Sequence, residues 1–325
     1  MAALRRGNPS ASPAAGTGTS IACQELMQLT GAWFPAAHTD AEQMVKLAIA
    51  GHTVLGFDVV MPLFSVCHEA AALGCDVRWG GPDAMPESGP PVFTRVEELR
   101  IPADLLSRPS CTVALRAISL LKQRLGENAA VCGKVFGAWT LAYHCFGIEN
   151  FLMLTLDDPD AVRRILRMLT EVTVRFAQAQ IDAGADCLLL GDHATRDLCS
   201  PAMYQDYLEP LHARLAAEIS CPLILHICGN TEDRIAAIAR TGLECFHYDT
   251  KTGTPDQVRK LAGETIALMG GVSNFRLLDQ TPEAIARDVE NARQAGIDII
   301  GPECAVPLTT PLDNLKAIRP AARQP

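Results

Sequence analysis

Hydrophobic and polar positions in the second half of the chain repeat one unit: a capping residue followed by proline, a helical stretch, a glycine and a short apolar run. Four helix starts carry the pattern, Asp158-Pro159, Ser200-Pro201, Thr254-Pro255 and Thr281-Pro282. Proline suits the first helical position because its missing N–H would have no partner there, while the preceding side-chain oxygen accepts from the free amides of the first turn. The matching stops are Gly184, Gly242, Gly263 and Gly296, where glycine takes the left-handed conformation that ends a helix. Between start and stop the apolar spacing is helical, as in Val162, Ile165, Leu166, Leu169 and Val172, or Ile285, Val289 and Ala292. One face of each helix can therefore pack on a sheet.

The apolar runs that follow read as strands at 185–190, 222–228, 244–248, 266–269 and 297–300, and the first half adds 54–60, 75–79 and 130–136. Runs that are apolar almost throughout belong to strands covered on both faces, as in parallel sheets. Eight strands alternating with helices predict an α/β fold of the (β/α)8 TIM-barrel type, with a doubly wound open sheet as the alternative. The chain divides into a loose Ala/Gly/Pro/Ser/Thr-rich tail over 1–20 and a single barrel domain over 21–325.

Composition narrows the function. Of the 325 residues 48% are apolar, and 28 Lys+Arg against 37 Asp+Glu leave a net charge of −9, opposite to what binding a phosphate backbone needs. Nucleic acid is excluded as a ligand. No apolar run reaches the roughly 18 residues of a membrane span, and the tail lacks the apolar centre of a secretory signal, so no membrane association and a cytoplasmic location are expected. The 12 cysteines are then reduced thiols, and most of them, such as Cys132, Cys187 and Cys245, are expected to pack as small hydrophobes. No glycine-rich dinucleotide or P-loop fingerprint follows a strand.

The candidate chemistry lies at the strand ends. His226 and Cys228 close the strand 222–228 and, two residues apart, point to the same face. Cys304 sits just past the last strand, at the barrel end that carries active sites. One imidazole and two thiolates suit Zn²⁺ with its fourth position open, although a packed histidine and two buried thiols fit the same spacing. Asp192 with His193, Asp249, and Ser273 with Asn274 also stand at strand ends. Polar groups converging on one rim are what a pocket needs.

The motifs His226-Ile227-Cys228-Gly229-Asn230-Thr231, Gly271-Val272-Ser273-Asn274 and Pro302-Glu303-Cys304-Ala305-Val306-Pro307-Leu308-Thr309-Thr310-Pro311 resemble the uroporphyrinogen decarboxylase superfamily. Leu29-Thr30-Gly31-Ala32-Trp33-Phe34-Pro35 and Gly191-Asp192-His193-Ala194 are similar to its zinc-dependent methylcobamide:coenzyme M methyltransferase branch, and the resemblance runs over 23–318. It implies a uroporphyrinogen decarboxylase-like barrel in which His226, Cys228 and Cys304 bind zinc. It further implies methyl transfer from a methyl–Co(III) corrinoid, carried by a partner corrinoid protein, to an acceptor such as a coenzyme M-like thiol or tetrahydrofolate. On this reading Asp192, Asp249 and Glu303 are candidate catalytic residues, and Ser273, Asn274 and Tyr143 are candidates for contact with the cofactor.

Two further readings stand beside it. One is a decarboxylase-type lyase, but the family's arginine-rich carboxylate grip has no counterpart, since 31–46 holds no arginine and a single lysine, Lys46. The other is a non-catalytic module binding a corrinoid protein. A structural zinc site would need a fourth protein ligand, for which Glu303 or His247 are the candidates.

Overall fold

The computed structural model describes residues 1, 3–5, 14–16 and 21–322. The four predicted helix starts form as expected. Asp158 accepts from the Ala161 N–H at 3.0 Å, Ser200 from Met203 at 3.2 Å and Thr281 from Ala284 at 3.4 Å. Thr254 accepts from Gln257, whose side chain reaches back to the Thr254 N–H at 2.9 Å in a reciprocal cap. The stops Gly184, Gly242, Gly263 and Gly296 all have positive φ.

Eight parallel strands form the barrel: β1 (Ala14–Ala15), β2 (Val59–Val60), β3 (Ala130–Phe136), β4 (Cys187–Gly191), β5 (Leu223–Ile227), β6 (Cys245–Tyr248), β7 (Ala267–Val272) and β8 (Ile299–Pro302). Each pairs with its neighbour in chain order from β2 to β8, and β8 pairs back with β1. The architecture is a (β/α)8 barrel, as the alternation of elements predicts. Among the described residues no helix is long and apolar enough to cross a membrane.

Two strand assignments change. The segment 75–79 is not a barrel strand: Val77–Arg78 pairs antiparallel with Glu87–Ser88 in a separate hairpin, where Arg78 stays exposed beside Glu87 at 2.8 Å. A strand inside a closed barrel could not leave that guanidinium in water. Its place is taken by Ala14–Ala15, within the stretch read from sequence as a loose tail; positions 2, 6–13 and 17–20 of that tail, and 323–325, lie outside the described residues. β1 fits because it is small. A Cβ on Gly301 would stand 2.0 Å from the Gly16 carbonyl oxygen, so the close approach of β1 to β8 requires glycine there.

The closing contact between β1 and β2 follows a rule repeated around the barrel floor. Asp58, just before β2, accepts from the Ala15 N–H of β1 at 2.9 Å, and its own N–H donates to the Ala15 carbonyl at 2.8 Å. Asp186 before β4 accepts from Val131 of β3, Glu244 before β6 from Leu223 of β5, and Asp298 before β8 from Leu268 of β7, at 2.8–2.9 Å. Each acid ahead of an even strand thus accepts from the strand before it, where the ladder would otherwise leave an amide unpaired. Three of the four also meet a cation: Asp58 meets Arg319, Asp186 meets Lys122 and Asp298 meets Arg259. With its floor pinned in this way, the opposite rim is where loops are free to carry chemistry.

Candidate active site

β5 delivers His226 to the C-terminal rim, 6% exposed. Its Nδ1 lies 3.0 Å from the His247 carbonyl oxygen on the adjacent β6. A carbonyl only accepts, so Nδ1 carries the proton and Nε2 presents a lone pair. That lone pair faces Cys228 Sγ at 3.0 Å, and Cys228 Sγ is 3.3 Å from Cys304 Sγ. The sulfurs are too far apart for a disulfide, which needs about 2.05 Å, and both thiols are free. The three ligand atoms lie within 4.8 Å of one another, and among the described residues they are the one such group of three able to hold a metal ion. Through its hydrogen bond, Cys304 pulls the Cys228 thiol below its ordinary range, which readies that sulfur to act as a thiolate.

The chain around the trio is held from three sides. Directly after Cys228 the backbone turns at Gly229, φ 82°, where a Cβ would meet Thr195 Oγ1 at 2.4 Å. Asp249 accepts from the Gly229 N–H and the Lys251 N–H, both at 2.8 Å, so it ties the Cys228 turn to the end of β6. Glu303 accepts from the Asn274 N–H at 2.7 Å and the Ser273 hydroxyl at 3.3 Å on one oxygen, and from the Thr250 N–H at 2.9 Å and the Thr250 hydroxyl on the other. It joins the loops after β6 and β7 to the Cys304 loop. Asn274 adds a hydrogen bond to the Ala305 carbonyl at 2.8 Å. His247 Nε2 donates to the Pro302 carbonyl at 2.9 Å. Glu303 is engaged elsewhere, and His247, bonded through Nε2, is not grouped with the trio, which among the described residues leaves three protein ligands and an open side.

That side is a cavity of about 320 Å³ above His226, Cys228 and Cys304. Phe64, Phe136 and Leu189 supply apolar wall, and Val66, Met85 and Ile148, each 37–48% exposed, supply apolar rim. The polar wall is Lys134, Thr140, Tyr143, His144, Asp192 and His193. Asp192 is 2% exposed; one oxygen accepts from the Thr140 N–H at 2.9 Å and hydroxyl at 3.1 Å, and the other meets His212 Nε2 at 3.2 Å. Thr140 Oγ1 in turn accepts from the His193 N–H at 2.7 Å. Tyr143 faces the cavity with its hydroxyl accepting from the Trp139 indole N–H.

Of the residues selected from sequence, the structure brings His226, Cys228, Cys304, Asp192 and Tyr143 to one cavity. It does not bring Ser273, Asn274, Asp249 or Glu303 into its lining. Ser273 stands where β7 passes into the helix Asn274–Asp279, and the hydrogen bonds of all four tie rim loops to one another. They act on the cavity through the Cys228 and Cys304 loops. Lys134, Thr140 and His144 were not selected. The one signal was a lysine within the otherwise apolar run 130–136, and burial lowers its pKa to about 8.

The Asp249 contacts carry a prediction. Asp249→Asn keeps the volume but turns an NH₂ toward one of the two N–H donors. Metal retention against a competing chelator should fall roughly tenfold while the melting temperature stays within about 3 °C, the size of effect seen when a group supporting a ligand is altered. Unchanged retention would return Asp249 to the role of a turn cap.

The uroporphyrinogen decarboxylase (URO-D) family model matches residues 1–325. A methylated-thiol–coenzyme M methyltransferase of Methanosarcina mazei is 33% identical over 97% of this chain and 84% of its own length. The methylcobamide:CoM methyltransferase MtaA of Methanosarcina barkeri is 30% identical over 92% of this chain and 89% of its own. A solved methyltransferase from Methanosarcina mazei superposes with a TM-score of 0.96 at 30% identity, covering 99% of this chain and 96% of that one. With whole-length similarity in sequence and in structure, the chain belongs to the uroporphyrinogen decarboxylase (URO-D) family and is an enzyme of its methyltransferase branch.

Proposed function

We propose that the protein moves a methyl group from the cobalt of a methylated corrinoid, carried by a partner corrinoid protein, to a thiol acceptor of the coenzyme M type. The observation that carries this reading is a His Nε2 lone pair and two free thiols converging on the floor of a cavity with one side left open. Both whole-length relatives carry coenzyme M in their names, and MtaA carries a methylcobamide donor as well. Thiolate and imidazole donors suit zinc, and His226, Cys228 and Cys304 would hold it. Bound there, zinc supplies the charge that makes an acceptor thiol a thiolate near neutral pH.

The chain's own residues do the remainder. The His247 carbonyl keeps Nδ1 protonated and Nε2 directed at the sulfurs. Phe64, Phe136 and Leu189 keep water from the sulfur that reacts, and the rim of Val66, Met85 and Ile148 offers an apolar seat for the partner's corrin face. Transfer is an in-line displacement: a sulfur–carbon bond forms, the cobalt–carbon bond breaks, its electron pair stays on cobalt as Co(I), and the thiol proton passes to solvent. No arginine lines the cavity, which disfavours gripping the several carboxylates of a tetrapyrrole. A reducing compartment such as the cytoplasm suits a reaction that needs Cys228 and Cys304 as free thiols.

The test compares acceptors on the zinc-loaded enzyme. With 2-mercaptoethanesulfonate, X-ray absorption at the metal edge should count three sulfurs in place of two, calorimetry in buffers of different ionisation enthalpy should register one proton released, and methylcobalamin should be demethylated. Tetrahydrofolate attacks through nitrogen and should change neither the sulfur count nor the proton count. Demethylation by tetrahydrofolate alone moves the acceptor assignment to folate. No demethylation with any acceptor overturns the reading.

A further inference from the structure

Cys75 and Cys145 form a second pair of free thiols, separate from His226, Cys228 and Cys304 and outside the cavity lining. Their sulfurs lie 3.9 Å apart although the residues stand 70 positions apart in the chain. Cys75 follows the Gly74 cap of the helix His68–Leu73 and leads into the hairpin Val77–Arg78/Glu87–Ser88, while Cys145 stands in the last turn of the helix Ala138–Phe146. Cys75 is 6% exposed and Cys145 is fully buried.

Cys145 also grips the far end of the hairpin segment. Its carbonyl accepts from the Val92 N–H and the Phe93 N–H, both at 3.0 Å, so one residue holds the root and the exit of 75–93. Between those points the segment carries Met85 to the cavity rim and Ser88 to its wall, where the Ser88 hydroxyl and His144 Nδ1 stand 2.7 Å apart. This edge of the cavity is held to the helix Ala138–Phe146 by hydrogen bonds and packing, with the two thiols in contact at its root.

The two sulfurs differ in character. Their hydrogen bond holds the Cys75 thiol below its ordinary range, while that bond and burial push Cys145 well above its own. A sulfur inclined to ionise, with a narrow opening to solvent and a protonated thiol beside it, is the arrangement of an attacking and a resolving cysteine.

We propose that Cys75 and Cys145 are a reversible redox pair, which a peroxide closes to a disulfide and a thiol reductant reopens, and that the bond clasps the rim segment 75–93 to the helix Ala138–Phe146. The Cys75 sulfur attacks one oxygen of hydrogen peroxide, the O–O bond breaks, a sulfenic acid forms and the Cys75 proton leaves with the first water. The Cys145 sulfur then displaces the second oxygen, which departs as water with the Cys145 proton. Two thiols lose two electrons and two protons, and the peroxide takes them up as two waters. The sulfurs must approach from 3.9 Å to about 2.05 Å, a move that side-chain rotation supplies. Neither sulfur lines the cavity, so the pair does not depend on which acceptor the cavity takes.

The test treats the zinc-loaded protein with a small excess of hydrogen peroxide, alkylates the remaining thiols and maps the peptides. A Cys75–Cys145 link should be the main product, in the wild type and equally in a Cys228→Ala/Cys304→Ala background that removes the two thiols of the cavity. Amide exchange over 76–93 should slow about tenfold in the oxidised form, and the melting temperature should rise by about 3–8 °C, as for a bond that closes a long loop. Dithiothreitol should reverse all three changes. In Cys145→Ala the resolving sulfur is gone, so dimedone should trap a sulfenic acid at Cys75.

No Cys75–Cys145 link at a peroxide dose that oxidises other cysteines would overturn the pair. A link that leaves exchange over 76–93 unchanged would overturn the clasp. Should Cys145→Ala not fold, the wild-type peptide map and its amide exchange decide alone.

Discussion

Cys304→Ala is expected to reduce methyl transfer by at least about a thousandfold and to take the zinc content of the purified protein from one per chain to near zero, since a metal site with one of three ligands removed loses both its ion and the chemistry it supports. Cys228→Ala should do the same. The physical reason is the geometry of the trio: His226 Nε2 contacts Cys228 Sγ at 3.0 Å, and Cys228 Sγ contacts Cys304 Sγ at 3.3 Å, and among the described residues no fourth donor is grouped with them. Folding should be little affected. Cys228 and Cys304 are only half-buried at the rim, far from the carboxylates that pin the barrel floor, so far-ultraviolet circular dichroism should match the wild type and the melting temperature of the metal-free proteins should agree within about 3 °C. Full zinc retention in both variants would mean that the ion, and with it the assigned chemistry, lies elsewhere.

The second large effect is expected on stability. Asp192→Ala leaves the Thr140 N–H and hydroxyl and the His212 ring nitrogen without their shared acceptor in a site 1–2% exposed. Each abandoned buried polar group costs about 1–3 kcal/mol, so a loss of about 3–5 kcal/mol is expected, with a fall in melting temperature of roughly 6–10 °C. Turnover should fall as well, because Thr140 also holds the His193 N–H on the cavity wall. Asp192→Asn provides the control. Its oxygen can still accept from Thr140, and its NH₂ can donate to His212 Nε2 if the ring proton moves to Nδ1, which lies 3.0 Å from the Tyr204 hydroxyl. That tautomer change keeps every group satisfied, so Asp192→Asn should lie within about 1 kcal/mol of the wild type. Nitrogen-15 chemical shifts of the His212 ring should report the swap. Equal destabilisation by alanine and asparagine would show that the negative charge of Asp192, rather than its hydrogen bonds, is what the site requires.

The helix starts at Asp158, Ser200, Thr254 and Thr281 and the glycine stops between them were legible because each depends on residues adjacent in the chain: a side-chain oxygen three residues from the amide it caps, a proline with no N–H to satisfy. The central strands were legible because burial on both faces demands an uninterrupted apolar run. His226, Cys228 and Cys304 could be found for a related reason, since alternation along a strand puts His226 and Cys228 on one face and the barrel brings every strand end to one rim.

Closure of the barrel was not legible in this way. Ala14–Ala15 is too short to have a period, and its place is set by partners far along the chain, Asp58 on one side and Ile299 and Ile300 on the other. The run 75–79 has the local look of a strand, yet pairing with Glu87–Ser88 takes it outside. The same holds for the polar residues of the rim. Ser273, Asn274, Asp249 and Glu303 stand at strand ends as the cavity residues do, but hydrogen bonds between loops of different strands turn them to one another, while Lys134, hidden in an apolar run, lines the cavity. Local chemistry along the sequence determined which elements form and where the His226, Cys228 and Cys304 trio stands; which strand closes the barrel and which side chains face the cavity were decided by contacts between distant segments, which periodicity and spacing do not encode.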